Sequence, residues 1–276
     1  MTESPILVLG ARGKTGRRLV SRLTDLGVPV RAGSRTTGTR FAWEDRGSWG
    51  PALEGARAVY VVPLDEPVGE DAVAEFAGAA VSAGARRLVL LSARGPQAGQ
   101  MHPMQEPGER AVRESGAEWT ILRPAWFFQN FSEDMFLPPL LAGDLALPAG
   151  EGREAFVDVA DIADVAAAAL TGDGHAGQVY ELSGPEPLTF GEVVRMIADA
   201  SGRDIRYTPL ETSEYRALLS SQGVPGALAE VLANLLEGIR NGTGRHLSDG
   251  VQRVLAREPR SFADYVKEAA ASGVWS

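Results

Sequence analysis

Gly10, Gly13 and Gly16 recur at three-residue intervals between an apolar run, Ile6-Leu7-Val8-Leu9, and a helical pattern carried by Leu19, Val20, Leu23 and Leu26. Glycines so placed let a backbone come close to the diphosphate of a dinucleotide. Gly10 makes the tight turn, Gly13 keeps a side chain out of the phosphate path, and Gly16 lets the helix pack on the strand. The helix then offers the diphosphate the free N–H groups of its first residues, Lys14, Thr15 and Gly16, and a positive partial charge. The competing interpretation is an ordinary glycine turn before a helix. Gly13-Lys14-Thr15 also imitates the end of a triphosphate-binding loop, but that motif needs a glycine five residues earlier, where Val8 stands in the strand.

The kind of dinucleotide is decided where the second strand ends. A site for NAD places a carboxylate there for the ribose 2′-OH. This chain has Gly33-Ser34-Arg35, and Asp25 comes too early, in the last turn of the helix. Arg35 can pair with a 2′-phosphate, Ser34 can hydrogen-bond it and Arg12 can reach it from the glycine loop, so NADP(H) is expected over NAD(H). The alternative for Arg35 is a solvated loop charge.

These residues need a scaffold, and the pattern supplies one. Strands are expected near 5–9, 28–33, 57–62, 86–92 and 118–122, with helices near 15–26, 68–83 and 104–115. The run Leu88-Val89-Leu90-Leu91 is continuously apolar, as in a central strand covered on both faces. Such alternation implies an α/β fold, a doubly wound parallel sheet of the Rossmann type. Ligands bind beyond the carboxyl ends of its strands, so the site should collect the glycine loop, Ser34-Arg35, Val62-Pro63-Leu64, Ser92-Ala93 and Arg123-Pro124-Ala125-Trp126. Beyond Trp126 helical stretches dominate, at 161–170, 189–200, 211–222, 225–241, 248–255 and 261–271, with Tyr180-Glu181-Leu182 as one strand returning to the sheet. Asp161 is expected as a helix N-cap, and Thr189 with Glu192 as a capping box. The division is a dinucleotide-binding domain over 1–150 and a smaller, mainly helical substrate-covering lobe over 151–276, without a core of its own.

Composition narrows the partners. The 276 residues contain no cysteine, which excludes disulfides, thiolate metal sites and a cysteine nucleophile. His102, His175 and His246 lack ligand spacing, so no metal is expected. A net charge of −9 argues against nucleic acid and anionic membranes. No apolar run reaches the length of a membrane span, and the polar residues 1–5 leave no room for a signal peptide, which points to the cytoplasm. The oligomeric state is not encoded legibly.

Several segments converge on a known group. The glycine loop, Leu122-Arg123-Pro124-Ala125-Trp126-Phe127-Phe128-Gln129-Asn130-Phe131, Phe156-Val157-Asp158-Val159-Ala160-Asp161-Ile162-Ala163 and Leu182-Ser183-Gly184-Pro185-Glu186 occur in matching order. Over almost its whole length the chain resembles the NmrA-like atypical short-chain dehydrogenase/reductases. It is most similar to the branch containing fungal ergot-alkaloid reductases that act on cyclic iminium intermediates. Phe41-Ala42-Trp43-Glu44-Asp45, Pro259-Arg260-Ser261-Phe262-Ala263-Asp264-Tyr265 and Gly273-Val274-Trp275 carry that second likeness. The resemblance implies cofactor positions at Gly10, Gly13, Gly16, Arg35, Val62, Ser92 and Pro124, with Pro124-Ala125-Trp126-Phe127 beside the nicotinamide. It also implies two kinds of protein, working reductases and cofactor-binding redox sensors.

Ordinary short-chain reductases use Tyr-x-x-x-Lys to protonate the developing alkoxide. That pair cannot exist here. The only lysines are Lys14 and Lys267, and none of Tyr60, Tyr180, Tyr207, Tyr215 and Tyr265 precedes a lysine by four residues. Where the pair belongs, Met101-His102-Pro103-Met104-Gln105-Glu106 holds neither residue. Hydride addition to a ketone needs an acid, addition to a conjugated alkene needs enolate stabilisation, and addition to an iminium needs no proton. The expected substrate is therefore a small hydrophobic molecule, cationic or conjugated.

Each candidate near the reacting centre has a structural alternative. Trp126, Phe127 and Phe128 wall the substrate pocket or belong to the core, and Asn130 orients substrate or caps a turn. His102 donates a proton or is a solvated loop residue, and Ser92 touches the nicotinamide side or the substrate. Glu106 and Glu109 suit a helix start on dipole grounds alone. The expected function is an NADPH-dependent reductase. The alternatives are a non-enzymatic NADP(H) sensor that binds a partner, or an isomerase that retains its cofactor.

Overall fold

A computed structural model describes residues 3–63 and 71–276. The strands are β1 (Ile6–Val8), β2 (Val30–Ser34), β3 (Thr39–Arg40), β4 (Ala58–Val61), β5 (Arg87–Leu91), β6 (Glu118–Pro124), β7 (Asp144–Leu147), β8 (Arg153–Glu154), β9 (Gln178–Leu182), β10 (Leu188–Thr189) and β11 (Arg206–Pro209). The helices are α1 (Lys14–Asp25), α2 (Trp49–Leu53), α3 (Ala72–Ser82), α4 (Glu106–Glu114), α5 (Leu137–Leu141), α6 (Val159–Thr171), α7 (Phe190–Ser201), α8 (Thr212–Ser221), α9 (Gly226–Arg240), α10 (Gly250–Leu255) and α11 (Phe262–Ala271). Leu64 and the expected start of the third helix at 68 lie outside the described residues.

Seven parallel strands form the main sheet in the order β3-β2-β1-β4-β5-β6-β9. This is the doubly wound Rossmann arrangement, and its order reverses between β1 and β4. Val8 is in register with Ala32 on one side and Tyr60 on the other, so the glycine loop leaves β1 over the crevice at the switch point.

Alternation sorts side chains between the two faces. Leu7, Leu9, Val59, Val61, Leu88 and Leu90 pack with α2, α3 and α4 around Phe41, Trp43, Trp49 and Phe76. Ile6, Val8, Ala58, Tyr60 and Val89 face α1 and α6. Helix α6 is buried almost all round because it lies between α1, α10 and the sheet, which its run of alanines permits.

Two expectations are corrected. The cap of α6 is Asp158, whose carboxylate accepts the Ala160 N–H at 2.8 Å. Asp161 sits one turn inside, fully buried, where it pairs with Arg257 and Arg260 and accepts the Arg260 backbone N–H at 2.8 Å. Either aspartate suits a cap by type, and only the extended backbone at Asp158 decides. The lobe also has a core. Phe128, Phe131, Phe136, Phe156, Phe190, Phe262 and Trp275 form one cluster with α7, α8, α9 and α11, and two short sheets, β11-β7 and β10-β8, flank it.

Packing therefore does not divide at residue 150. Phe128 to Leu147 pack in the lobe, whereas α6, β9 and Val251 return to the sheet. The capping box of Thr189 and Glu192 at the start of α7 is present as expected. Among the described residues, no helix is long and apolar enough to cross a membrane.

Candidate functional site

The glycine loop is built by contacts that exclude side chains. Gly10 has φ +61°, a left-handed conformation that glycine adopts without strain, and the Gly13 N–H donates to its carbonyl at 2.8 Å. A Cβ on Gly16 would overlap the Gly10 carbonyl oxygen and come within 2.9 Å of the Ala11 Cα. Helix α1 begins after Gly13 with no side-chain cap and no acidic residue in its first turn. Its leading N–H groups, Lys14 and Thr15 among them, are thus left to a ligand. Such a cradle fits a dinucleotide diphosphate.

At the end of β2, Arg12 Nη1 donates to Thr36 Oγ1 at 2.8 Å, which carries its guanidinium from the glycine loop to the turn after Arg35. Arg35 is exposed, and its neighbour Arg40 is the one that pairs, with Asp45 at 3.0 Å. Ser34 behaves differently from expectation. Its hydroxyl donates to the Thr37 carbonyl and accepts the Thr37 N–H at 2.9 Å, so its hydrogen shapes the turn and is not free for a phosphate. The floor at β4 is pinned from below, where Trp43 Nε1 donates to the Val62 carbonyl at 3.0 Å. Val62 also packs against Gly10.

A strap over Phe128–Phe136 crosses from the end of β6 toward α1. Lys14 pairs with Asp134, Arg17 with Glu133, and Arg18 with Glu133 at 2.6 Å. The Lys14 ammonium also lies 5.9 Å from the Phe127 ring centre. From the lobe, Tyr265 donates its hydroxyl to Ser132 at 2.6 Å and Trp275 Nε1 donates to the Phe131 carbonyl at 2.9 Å. No spacing rule joins residues 14–18 to 133–134, and the sequence offered no signal for this tether.

The strand ends carry the remaining candidates. Trp126 is half-buried and stacks on Phe136 with centroids 5.9 Å apart. Phe127 is half-buried beside Lys14, while Phe128 is wholly in the lobe core against Phe262 and Tyr265. Asn130 is buried; its backbone N–H donates to the Phe127 carbonyl at 3.1 Å and its own carbonyl accepts from Phe136 N–H, which closes the strap. The Ala125 N–H is held by the Leu182 carbonyl at 2.8 Å, and the Ala93 carbonyl accepts the His102 N–H at 3.1 Å. The His102 Nδ1 accepts the Met104 N–H at 3.4 Å, which assigns the ring hydrogen to Nε2. Burial lowers its pKa, so the imidazole is neutral at pH 7.

Two buried ion pairs brace this floor. Arg94 (4% exposed) pairs with Glu154 (2%) and donates to the carbonyls of Gly244 and His246. Burial pushes the Glu154 carboxyl up to about 7 against the pull of Arg94 and of the Trp126 N–H. Glu109, 2% exposed on α4, receives Arg123 through both oxygens at 2.7 Å, Arg113 at 3.2 Å and the Ser92 hydroxyl at 2.7 Å. Burial raises the Glu109 carboxyl, but bonds from Arg123 and Ser92, the charge of Arg123 and the bond from Arg113 outweigh it and hold it below the usual carboxylate range. The sequence suggests only a dipole role for Glu109; its partners are Ser92 just beyond β5, Arg123 on β6 and Arg113 on its own helix.

None of the five tyrosines stands at the ends of β5 and β6. Tyr60 is buried in β4, Tyr180 lies in β9, Tyr207 donates to the Gly150 carbonyl, and Tyr215 and Tyr265 are in the lobe core.

A glycine cradle at the switch point of a parallel sheet, beside an aromatic lobe, defines a dinucleotide-binding protein. A family profile described as NAD(P)H-binding matches residues 10–173. The chain is 35% identical over 280 residues to the (4-alkanoyl-5-oxo-2,5-dihydrofuran-3-yl)methyl phosphate reductase of Streptomyces griseus, covering 96% of this chain and 98% of that protein. It is 33% identical over 284 residues to the agroclavine dehydrogenase of Claviceps fusiformis, covering 95% and 96%. The structure of an NADPH-dependent quinone oxidoreductase from Escherichia coli, complexed with NADPH, shares the fold with a TM-score of 0.80 at 24% identity, covering 95% of this chain and 99% of that one. The chain belongs to the NAD(P)H-binding, NmrA-like atypical short-chain dehydrogenase/reductases.

Gly16→Ala is expected to weaken dinucleotide binding by at least ~10-fold, read by quenching of protein fluorescence, with the circular dichroism of the fold retained. The depressed pKa of Glu109 means that its stabilising contribution is complete above its ordinary value of 4.5 and fades as pH falls through the lower folded value. Glu109→Gln should cost about 3 kcal/mol at pH 7 in urea unfolding, since Arg123 is left buried and unpaired, and should flatten the acid limb of the stability–pH curve.

Proposed function

We propose that the protein is an NADPH-dependent reductase of a small iminium or imine, acting without a tyrosine–lysine pair. The observation that carries this reading is an intact dinucleotide cradle at Gly10, Gly13 and Gly16 facing strand ends with no tyrosine. A nicotinamide held there would supply a hydride for the iminium carbon, with the C=N π pair moving to nitrogen, so no proton would be consumed. The chain's task is to hold, orient and dehydrate. The N–H groups of Lys14 and Thr15 hold the diphosphate, and Arg12 and Arg35 bind the 2′-phosphate. Pro124 and Ala125 would back the nicotinamide, and the half-buried Trp126 and Phe127 rings, beside the strap that Asn130 closes, would face a flat cation. Agroclavine dehydrogenase, a relative along the whole chain, supports a nitrogen heterocycle as substrate.

His102 favours a second reading. A neutral imidazole with its hydrogen on Nε2 can donate to an enolate, which suits an electron-poor alkene conjugated to a carbonyl. The name of the Streptomyces relative describes such an alkene. A sensor without turnover, or an isomerase that retains its cofactor, would consume no NADPH.

Loss of NADPH absorbance with cyclic imines, enones and ketones separates these readings. Turnover of imines is expected, turnover of enones alone would favour the His102 route, and tight cofactor binding with no turnover would favour the sensor. Arg35→Asp should weaken NADPH at least ~10-fold and NADH less than ~3-fold; equal effects would refute the role given to Arg35.

A further inference from the structure

Ser92 is a hydroxyl whose hydrogen can be located from its surroundings. It is the first residue beyond β5, its N–H donates to the Leu122 carbonyl of β6 at 2.8 Å, and it is 6% exposed on the floor between the two strand ends. Its Oγ lies 2.7 Å from Glu109 Oε1. That oxygen also receives Arg123 Nε at 2.7 Å, and Oε2 receives Arg123 Nη2 at 2.7 Å and Arg113 Nη2 at 3.2 Å. A carboxylate gripped by two guanidinium groups is ionised and can only accept. The Ser92 hydrogen is therefore spent on Glu109, and what Ser92 retains is two lone pairs.

This polarity has a chemical consequence. A carbonyl substrate brings an oxygen that gains negative charge as hydride arrives, and Ser92 has no hydrogen to give it. Donation would require breaking the bond to Glu109 and leaving a buried carboxylate lone pair unmet. A protonated imine brings an N–H bond, which an acceptor with a fixed orientation can receive before and during hydride transfer.

We propose that Ser92 is a specificity-determining acceptor for a substrate N–H, oriented by Glu109 as a positioning residue, so that the site prefers protonated imines over carbonyls and over N-alkylated iminium ions. The assignment rests on the imine reading above and narrows it. In the step, the hydride adds to the imine carbon, the π pair becomes the amine lone pair, and the nitrogen keeps the proton with which it arrived. The positive charge passes from the substrate to the oxidised nicotinamide.

The test compares 3,4-dihydroisoquinoline, protonated at pH 6, with N-methyl-3,4-dihydroisoquinolinium, which has no N–H. In the wild type the ratio of kcat/KM should favour the protonated imine. Ser92→Ala should reduce that ratio at least ~10-fold, and Ser92→Thr, which keeps the hydroxyl, should restore most of it. Calorimetry gives a readout independent of turnover: on Ser92→Ala the NADP+ complex, which cannot transfer hydride to an imine, should lose affinity for protonated 3,4-dihydroisoquinoline by more than it loses for N-methyl-3,4-dihydroisoquinolinium. Equal losses for both compounds overturn the assignment while leaving the imine reading intact. A selective loss of NADPH affinity also overturns it, because Ser92 would then hold the cofactor. A wild-type protein that reduces neither compound overturns the imine reading and this assignment with it.

Discussion

The closest approach on which the site depends is that of two backbones, where Gly16 of α1 meets the carbonyl of Gly10. Any side chain there would force the helix away from the loop. That contact aims the uncapped end of α1 along the crevice where the sheet reverses direction, between β1 and β4. It also sets where α1 meets α6, and α6 in turn carries the Asp161 carboxylate that anchors Arg257 and Arg260 before α11. A single missing Cβ thus couples the phosphate cradle to the placement of the last helix.

The lobe depends on the sheet in the opposite sense. Its aromatic cluster begins at Phe128, three residues after the strand-end segment Pro124-Ala125, so the lobe's own packing is joined directly to the end of β6. Arg94 and Glu154 tie the same two parts together, since Arg94 follows β5 and Glu154 belongs to the lobe. Two buried charges are costly to desolvate, and an apolar pair would pack more stably. What the ion pair provides is direction, because it fixes the register between two cores that apolar contact alone would leave free to slide.

The sheet was legible because its information is local. Alternation along Leu88-Val89-Leu90-Leu91 and three glycines within seven residues are patterns that a window of sequence contains. The lobe's core was missed for the converse reason. Phe128, Phe156, Phe190 and Phe262 are far apart in sequence and share no period, so even Phe128, which the sequence places in a pocket wall or a core, does not point to the other three. The network of Ser92, Glu109 and Arg123 was hidden in the same way, since its members come from the loop after β5, a helix and β6. Ser34 was misjudged by chemistry: a hydroxyl near a phosphate site looks like a ligand until its turn claims the hydrogen.

The strap across α1 also changes the electrostatic face of the molecule. Lys14, Arg17 and Arg18 share the two carboxylates of Glu133 and Asp134, so the start of α1 keeps only one of its three positive charges unmatched. Arg12 is bonded only to a neutral hydroxyl, and Arg35 meets no carboxylate among the described residues. On a protein of net charge −9, these two guanidinium groups leave the corner of the crevice beyond β2 locally positive, the one sign that the molecule as a whole does not present.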